Sequence, residues 1–165
     1  MDKTVMIEIN GEEIEVDEHC ADLVLFFNKI GLKTSMCCQG HSKPIYRIWF
    51  DVGDEKMEEF VKKTGEWTEV YPILIDKENK KYETKRVMRG LEGWVYQRHW
   101  LPMGEYEKVW VYQVEGFTNE DAIRRAYKDL ETMNAIYFDK DKEKIMKKQE
   151  EKAKLLKNKL NKGEL

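Results

Sequence analysis

Thr34–Val52 reads TSMCCQGHSKPIYRIWFDV. Its two ends have strand character, and its middle cannot continue either strand. Thr34–Cys38 reads as a short strand and Gln39–Pro44 as a loop holding Gly40 and Pro44. Ile45–Val52 then alternates, with Tyr46, Ile48, Phe50 and Val52 on a core face and Ile45, Arg47 and Trp49 opposite. Strand, turn and strand within so few residues favour a sheet built from antiparallel neighbours over parallel crossovers.

The flanking chain agrees. Upstream, Val5, Ile7 and Ile9 alternate with polar positions, Asn10-Gly11 supplies the positive φ of a two-residue turn, and Ile14 and Val16 resume the pattern. A helix over 20–30 follows, with Leu23, Phe26, Phe27 and Ile30 on one face and Gly31 as its stop. Downstream, Gly53-Asp54 opens a helix over 54–64, buried through Met57, Phe60 and Val61. Strands are expected over 67–75, 81–88, 94–100 and 107–115, with turns at Asp76–Lys80, Arg89–Gly93 and Leu101–Glu105. An amphipathic helix over 119–137 presents Ile123, Ala126, Tyr127, Leu130, Met133 and Tyr137, with Thr118 as N-cap. The expected fold class is α+β: a mainly antiparallel sheet, three packing helices, and a charged C-terminal helix. Residues 1–138 form the expected domain and 139–165 a helical tail.

Charge separates these two parts. The tail holds ten Lys against six acidic residues, net +4, leaving 19 basic and 26 acidic side chains before it, net −7. An acidic body excludes duplex DNA as the expected partner, since that affinity comes mostly from neutralised phosphates. No apolar run approaches the ~18 residues a membrane span needs. Met-Asp-Lys-Thr at the start lacks the basic and apolar sections of a signal peptide, and three cysteines make a poor disulfide framework. A reducing cytoplasm is the expected location.

The turn concentrates reactive side chains. A ten-residue helix runs ~15 Å, and the strand after it covers ~18–20 Å. If they pack antiparallel, His19 and Cys20 return beside Cys38 and His41. Three readings stay open. In one, Cys38 shares a face with Thr34 and Met36, is buried against Cys20, and Gly40 is only a turn. In the second, the Gln39, Gly40 and His41 backbone forms an anion-accepting nest to which His41 adds a donor. In the third, Cys20, Cys38 and His41 hold zinc, His19 being a further donor; against this, the paired spacing of structural zinc sites is missing.

Leu23–Phe50 resembles small, largely uncharacterised proteins of bacteriophages and Gram-positive bacteria. Those pair a helix ending in Leu-Asn-x-x-Gly with a Thr-x-x-Cys-Cys-x-Gly-His turn and a Tyr-x-x-Phe strand. Asn28, Gly31, Thr34, Cys37, Cys38, Gly40, His41 and Tyr46 match, while Phe27 replaces the Leu. The turn is also distantly similar to the Ser-Cys-Ser-Gly-Arg segment of wybutosine-synthesis methyltransferases, where Arg stands in place of His41. The resemblance implies a phage or mobile-element origin and a turn reused as a site, without an activity.

A second feature is the aromatic and basic content of 82–112. Alternation over 94–100 sets Trp94, Tyr96, Arg98 and Trp100 on one face and Val95, Gln97 and His99 on the other. Such a row stacks nucleobases and holds phosphates in single-strand binders, anchors protein interfaces, or simply fills a sheet's core. The expected function is therefore a small binding protein for an anionic, nucleotide-like molecule. Gln39, Gly40 and His41 would line its site with Arg47 and Arg98 for charge and Trp49 and Tyr96 for stacking. The alternative is a module that binds a host protein through Trp94–Trp110 and the basic tail.

Overall fold

A computed structural model of the chain describes residues 3–76, 78, 81–100, 107–138 and 142–161, without the side chains of 69–76, 81–85, 98–100, 107–108, 142–146, 148–149 and 160–161. The turn expected over Leu101–Glu105 lies outside the described residues. The fold is α+β, with two antiparallel sheets and four helices. The chain forms two compact units, Met1–Glu131 and Thr132–Leu165, the boundary falling within a helix.

In the first unit β1 (Thr4–Ile9) and β2 (Glu12–Asp17) form a separate hairpin. Ile9 pairs with Glu12 across Asn10 (φ 52°) and Gly11 (φ 83°), the left-handed pair such a turn requires. The main sheet contains β3 (Thr34–Cys38), β4 (Ile45–Phe50), β5 (Glu66–Asp76), β6 (Lys81–Arg89), β7 (Trp94–Trp100) and β8 (Glu107–Glu115). Its order is β3-β4-β8-β7-β6-β5. The last four strands are the expected meander, and β8 returns it to the β3–β4 pair.

Helices α1 (Ala21–Lys29), α2 (Asp54–Thr64) and the first part of α3 (Asn119–Phe138) meet one face of this sheet. Phe27 of α1 is wholly buried and sets its ring edge-on to Phe50 (4.9 Å), Tyr112 (5.5 Å) and Phe60 of α2 (6.0 Å). Burying one such ring contributes about 1.5–3 kcal/mol, so the helix–sheet seam is knit here. At one end of the seam Glu58 of α2 accepts from the Trp67 indole (2.6 Å) and pairs with Arg86. At the other, Asp129 of α3 accepts from the Tyr112 hydroxyl (2.7 Å) and from the Glu92 (2.7 Å) and Gly93 (2.8 Å) backbone N–H groups.

Asp129 also explains a departure from expectation. Ala122, Ala126 and Asp129 are the fully buried positions of α3 within this unit, while Ile123 and Leu130 are only half-buried. Small alanines let the helix lie close to the sheet, and the carboxylate is tolerated because three donors satisfy it. The second unit contains roughly the last two turns of α3 and also α4 (Lys142–Asn161), whose described side chains are exposed. Among the described residues, no helix is long and apolar enough to cross a membrane.

Candidate functional site

β3 decides which cysteine faces what. Cys37 pairs with Ile48 and Cys38 with Arg47, but the register shifts between Thr34 and Met36. One extra residue there leaves Thr34 and Cys37 on the helix face and turns Met36 and Cys38 to the other. The reading that sets Thr34, Met36 and Cys38 on one face with Cys20 beside Cys38 is therefore corrected: Met36 and Cys38 do share a face, but Thr34 lies on the other. Cys20, fully buried at the start of α1, is hydrogen-bonded to Cys37. That bond, together with burial, drives the Cys20 thiol far up and lowers Cys37. Tyr46 packs beside them, and its hydroxyl donates to the His19 carbonyl (2.7 Å). The helix start does return beside the strand end; its partner there is Cys37, so Cys20 stands apart from Cys38 and His41.

The turn itself is held by a small network. Gln39 is 1% exposed, and its backbone N–H, backbone carbonyl and side-chain oxygen are each engaged. Its N–H donates to Asp17 Oδ2 (3.1 Å), its side-chain Oε1 accepts from His19 N–H (3.0 Å), and its carbonyl accepts from Asn119 Nδ2 (2.7 Å). Asn119 also donates to the Lys43 carbonyl (2.7 Å). Gly40 (φ 100°), His41 (φ 46°) and Ser42 (φ 78°) are three successive left-handed residues. Gln39 is therefore a structural brace, and the side chain the turn presents is His41. Its Nε2 lies 3.3 Å from Asp17 Oδ2, and Cys38 Sγ accepts from Gly40 N–H at 3.4 Å. Asp17, at the end of β2, went unremarked in the sequence; the run Asp-Glu-His-Cys at 17–20 was its only signal.

The sheet face turned away from the helices carries the other candidates. Cys38, Arg47, Gln113 and Trp94 form one cross-strand row, and Met36, Trp49, Val111, Tyr96 and Val87 the next. Arg47 Nε donates to Gln113 Oε1 (2.8 Å), which also accepts from the Tyr96 hydroxyl (2.7 Å). Gln113 Nε2 in turn donates to Glu115 (2.9 Å). Among the described residues Arg47 has no carboxylate partner. Tyr96 and Val111 are buried in a small apolar cluster with Val87, against which Trp49, Trp94 and Val109 pack. Arg89 lies over Trp94, 5.5 Å from the ring centre. Arg98 is paired to Val109 through its backbone, but its side chain lies outside the described residues. Trp110 points the other way, into the helix seam, where its indole donates to Asp54 (3.0 Å).

A cavity of about 530 Å³ opens elsewhere, between β2, β3 and Val24 of α1, with Asp17 and Cys37 on its wall. Met36 (53% exposed) and Ile14 (40%) stand at its margins. Comparison with protein-family models, curated proteins and solved structures gives no match.

Proposed function

We propose that this chain is a binding protein for an anionic, ring-bearing small molecule of nucleotide type, taken up on the sheet face opposite the helices. The observation that carries the reading is Arg47. Its guanidinium is anchored through Nε to buried Gln113 and meets no carboxylate among the described residues, which leaves its remaining N–H groups for a ligand. Trp49 lies two residues along the same face of β4, half-buried, with part of its ring surface open to stacking. Tyr96 acts indirectly, since its hydroxyl is spent holding Gln113. His41 stands at the rim, on the side of the row where Cys38 faces Arg47.

The test is a titration with a panel of mononucleotides and cyclic nucleotides, read by Trp fluorescence and melting temperature. At least one member should bind, and Arg47→Ala should weaken it roughly tenfold or more, the ~1.5–3 kcal/mol of a hydrogen bond to a charged group. No response to any member in the wild-type protein would refute the proposal.

A second reading, a protein-interaction module, is favoured by a different surface. β3 is an edge strand, and Met36 and Ile14 expose apolar area around the cavity beside it. Ile14→Lys would abolish capture of a protein partner under this reading and leave nucleotide binding intact, since Ile14 belongs to the separate β1–β2 hairpin.

A further inference from the structure

We infer that Asp17, Cys38 and His41 form a binding site for a single zinc-class divalent metal ion, with one coordination position left open. The three donors come from three pieces of chain: Asp17 ends β2, Cys38 ends β3, and His41 occupies the left-handed turn after it. Their ligand atoms all lie within 4.8 Å of one another. His41 Nε2 and Asp17 Oδ2 are 3.3 Å apart. Bond lengths of about 2.0–2.1 Å in a tetrahedron put a nitrogen and an oxygen ligand roughly 3.3 Å apart, so this edge is already preformed. A thiolate, an imidazole and a carboxylate together suit zinc or cobalt and are poor company for magnesium or calcium.

Both anionic ligands are already oriented by backbone donors. Gly40 N–H points at Cys38 Sγ, and Gln39 N–H at Asp17 Oδ2. Such hydrogen bonds behind a ligand fix its direction. The turn also carries a cost that a ligand role explains. His41 and Ser42 hold positive φ without being glycine, and the result sets the imidazole beside the Asp17 carboxylate. Asp17 is largely shielded while His41 is half-exposed, so the ion has both an anchor and an entry path. Three protein ligands leave a fourth position for water or an exogenous donor, as in zinc sites that act on a bound molecule. The inference stands apart from the nucleotide reading, because metal uptake is measured with no nucleotide present.

The experiment uses the full chain, reduced and stripped with a chelator, titrated with Co²⁺ under anaerobic conditions and then with Zn²⁺. One equivalent of cobalt should produce a near-ultraviolet thiolate-to-metal band and the visible bands of a four-coordinate ion, both lost on adding zinc. Cys38→Ser should abolish the thiolate band, and His41→Ala and Asp17→Asn should weaken uptake at least tenfold. Cys20→Ser and Cys37→Ser should leave it in place, since that pair lies on the other face of β3. Circular dichroism reports whether each variant folds. Should Cys38→Ser not fold, His41→Ala decides, because its side chain is half-exposed. Absence of a thiolate band in the wild-type protein, its survival in Cys38→Ser, its loss in Cys20→Ser or Cys37→Ser, or unchanged uptake in His41→Ala would each overturn the inference.

Discussion

Gly40 and Gly11 make a matched pair of perturbations, because both sit at positive φ and only one lacks room. Gly11 (φ 83°) has nothing within 4 Å of where a Cβ would stand. At Gly40 (φ 100°) the same atom would lie 2.3 Å from the Ile45 carbonyl oxygen, 2.6 Å from that of Lys43 and 2.7 Å from Asn119 Nδ2. Alanine at Gly11 therefore incurs the left-handed cost alone, about 1–2 kcal/mol. Alanine at Gly40 incurs that cost and must also displace Asn119 from the two carbonyls it bridges, each bond being worth roughly 0.5–1.5 kcal/mol. The Ile45 carbonyl belongs to the first residue of β4, so relief by backbone movement would disturb the β4–β8 pairing that begins there. Summed, Gly40→Ala should cost about 2–5 kcal/mol, roughly 1–3 kcal/mol more than Gly11→Ala. The reduced freedom of the unfolded chain is common to both substitutions and cancels in the difference. Urea unfolding followed by circular dichroism, with the slope held common to all three proteins, measures that difference. Losses for the two variants within ~0.5 kcal/mol of each other would refute the packing argument around Gly40.

Two other outcomes follow from buried groups. Burial raises the Asp129 carboxyl, outweighing the Gly93 N–H, the Tyr112 hydroxyl and the Glu92 N–H that lower it. Because the folded value lies above the unfolded one, the stability tied to this group is fully present below the usual carboxylate range and is lost as pH rises through the raised value. Tyr112→Phe should cost about 1–3 kcal/mol at neutral pH and clearly less in acid, where the carboxyl is neutral; a deficit that does not change with pH in paired denaturation curves would contradict this. Among the thiols, Cys37 is held low first by the Cys20 bond. Cys20→Ala should therefore slow alkylation of Cys37 by iodoacetamide several-fold while Cys20→Ser, which keeps a donor, should not, with fragment mass spectra assigning the label to Cys37 or Cys38.

What could be read in the sequence, and what could not, divides along a physical line. Element type came from local periodicity and turn chemistry: Asn10-Gly11 marked a two-residue hairpin, and Tyr46, Ile48 and Phe50 marked the buried face of β4. Side-chain direction in β3 depends on a single added residue between Thr34 and Met36, and nothing in Thr-Ser-Met-Cys-Cys announces it. Because strand faces alternate with a period of two, that one residue was enough to exchange Cys37 for Cys38 against Cys20 and to remove Cys20 from the expected zinc set. Asp17 was missed for a related reason, since its value lies in tertiary position, 3.3 Å from His41, and an acidic residue at a hairpin end is otherwise unremarkable. Arg47, Trp49 and Tyr96 were placed on faces correctly by alternation, yet only the pairing of β4 with β8 brings them into neighbouring rows around Gln113. Gln113 itself gave no sign in the sequence, because a glutamine in a strand reads as solvent-facing until it is found 7% exposed between Arg47 and Tyr96. Both candidate sites thus consist of residues whose types were legible and whose company was set by register: a bulge in β3 for the metal ligands, and the β4–β8 ladder for the basic–aromatic rows.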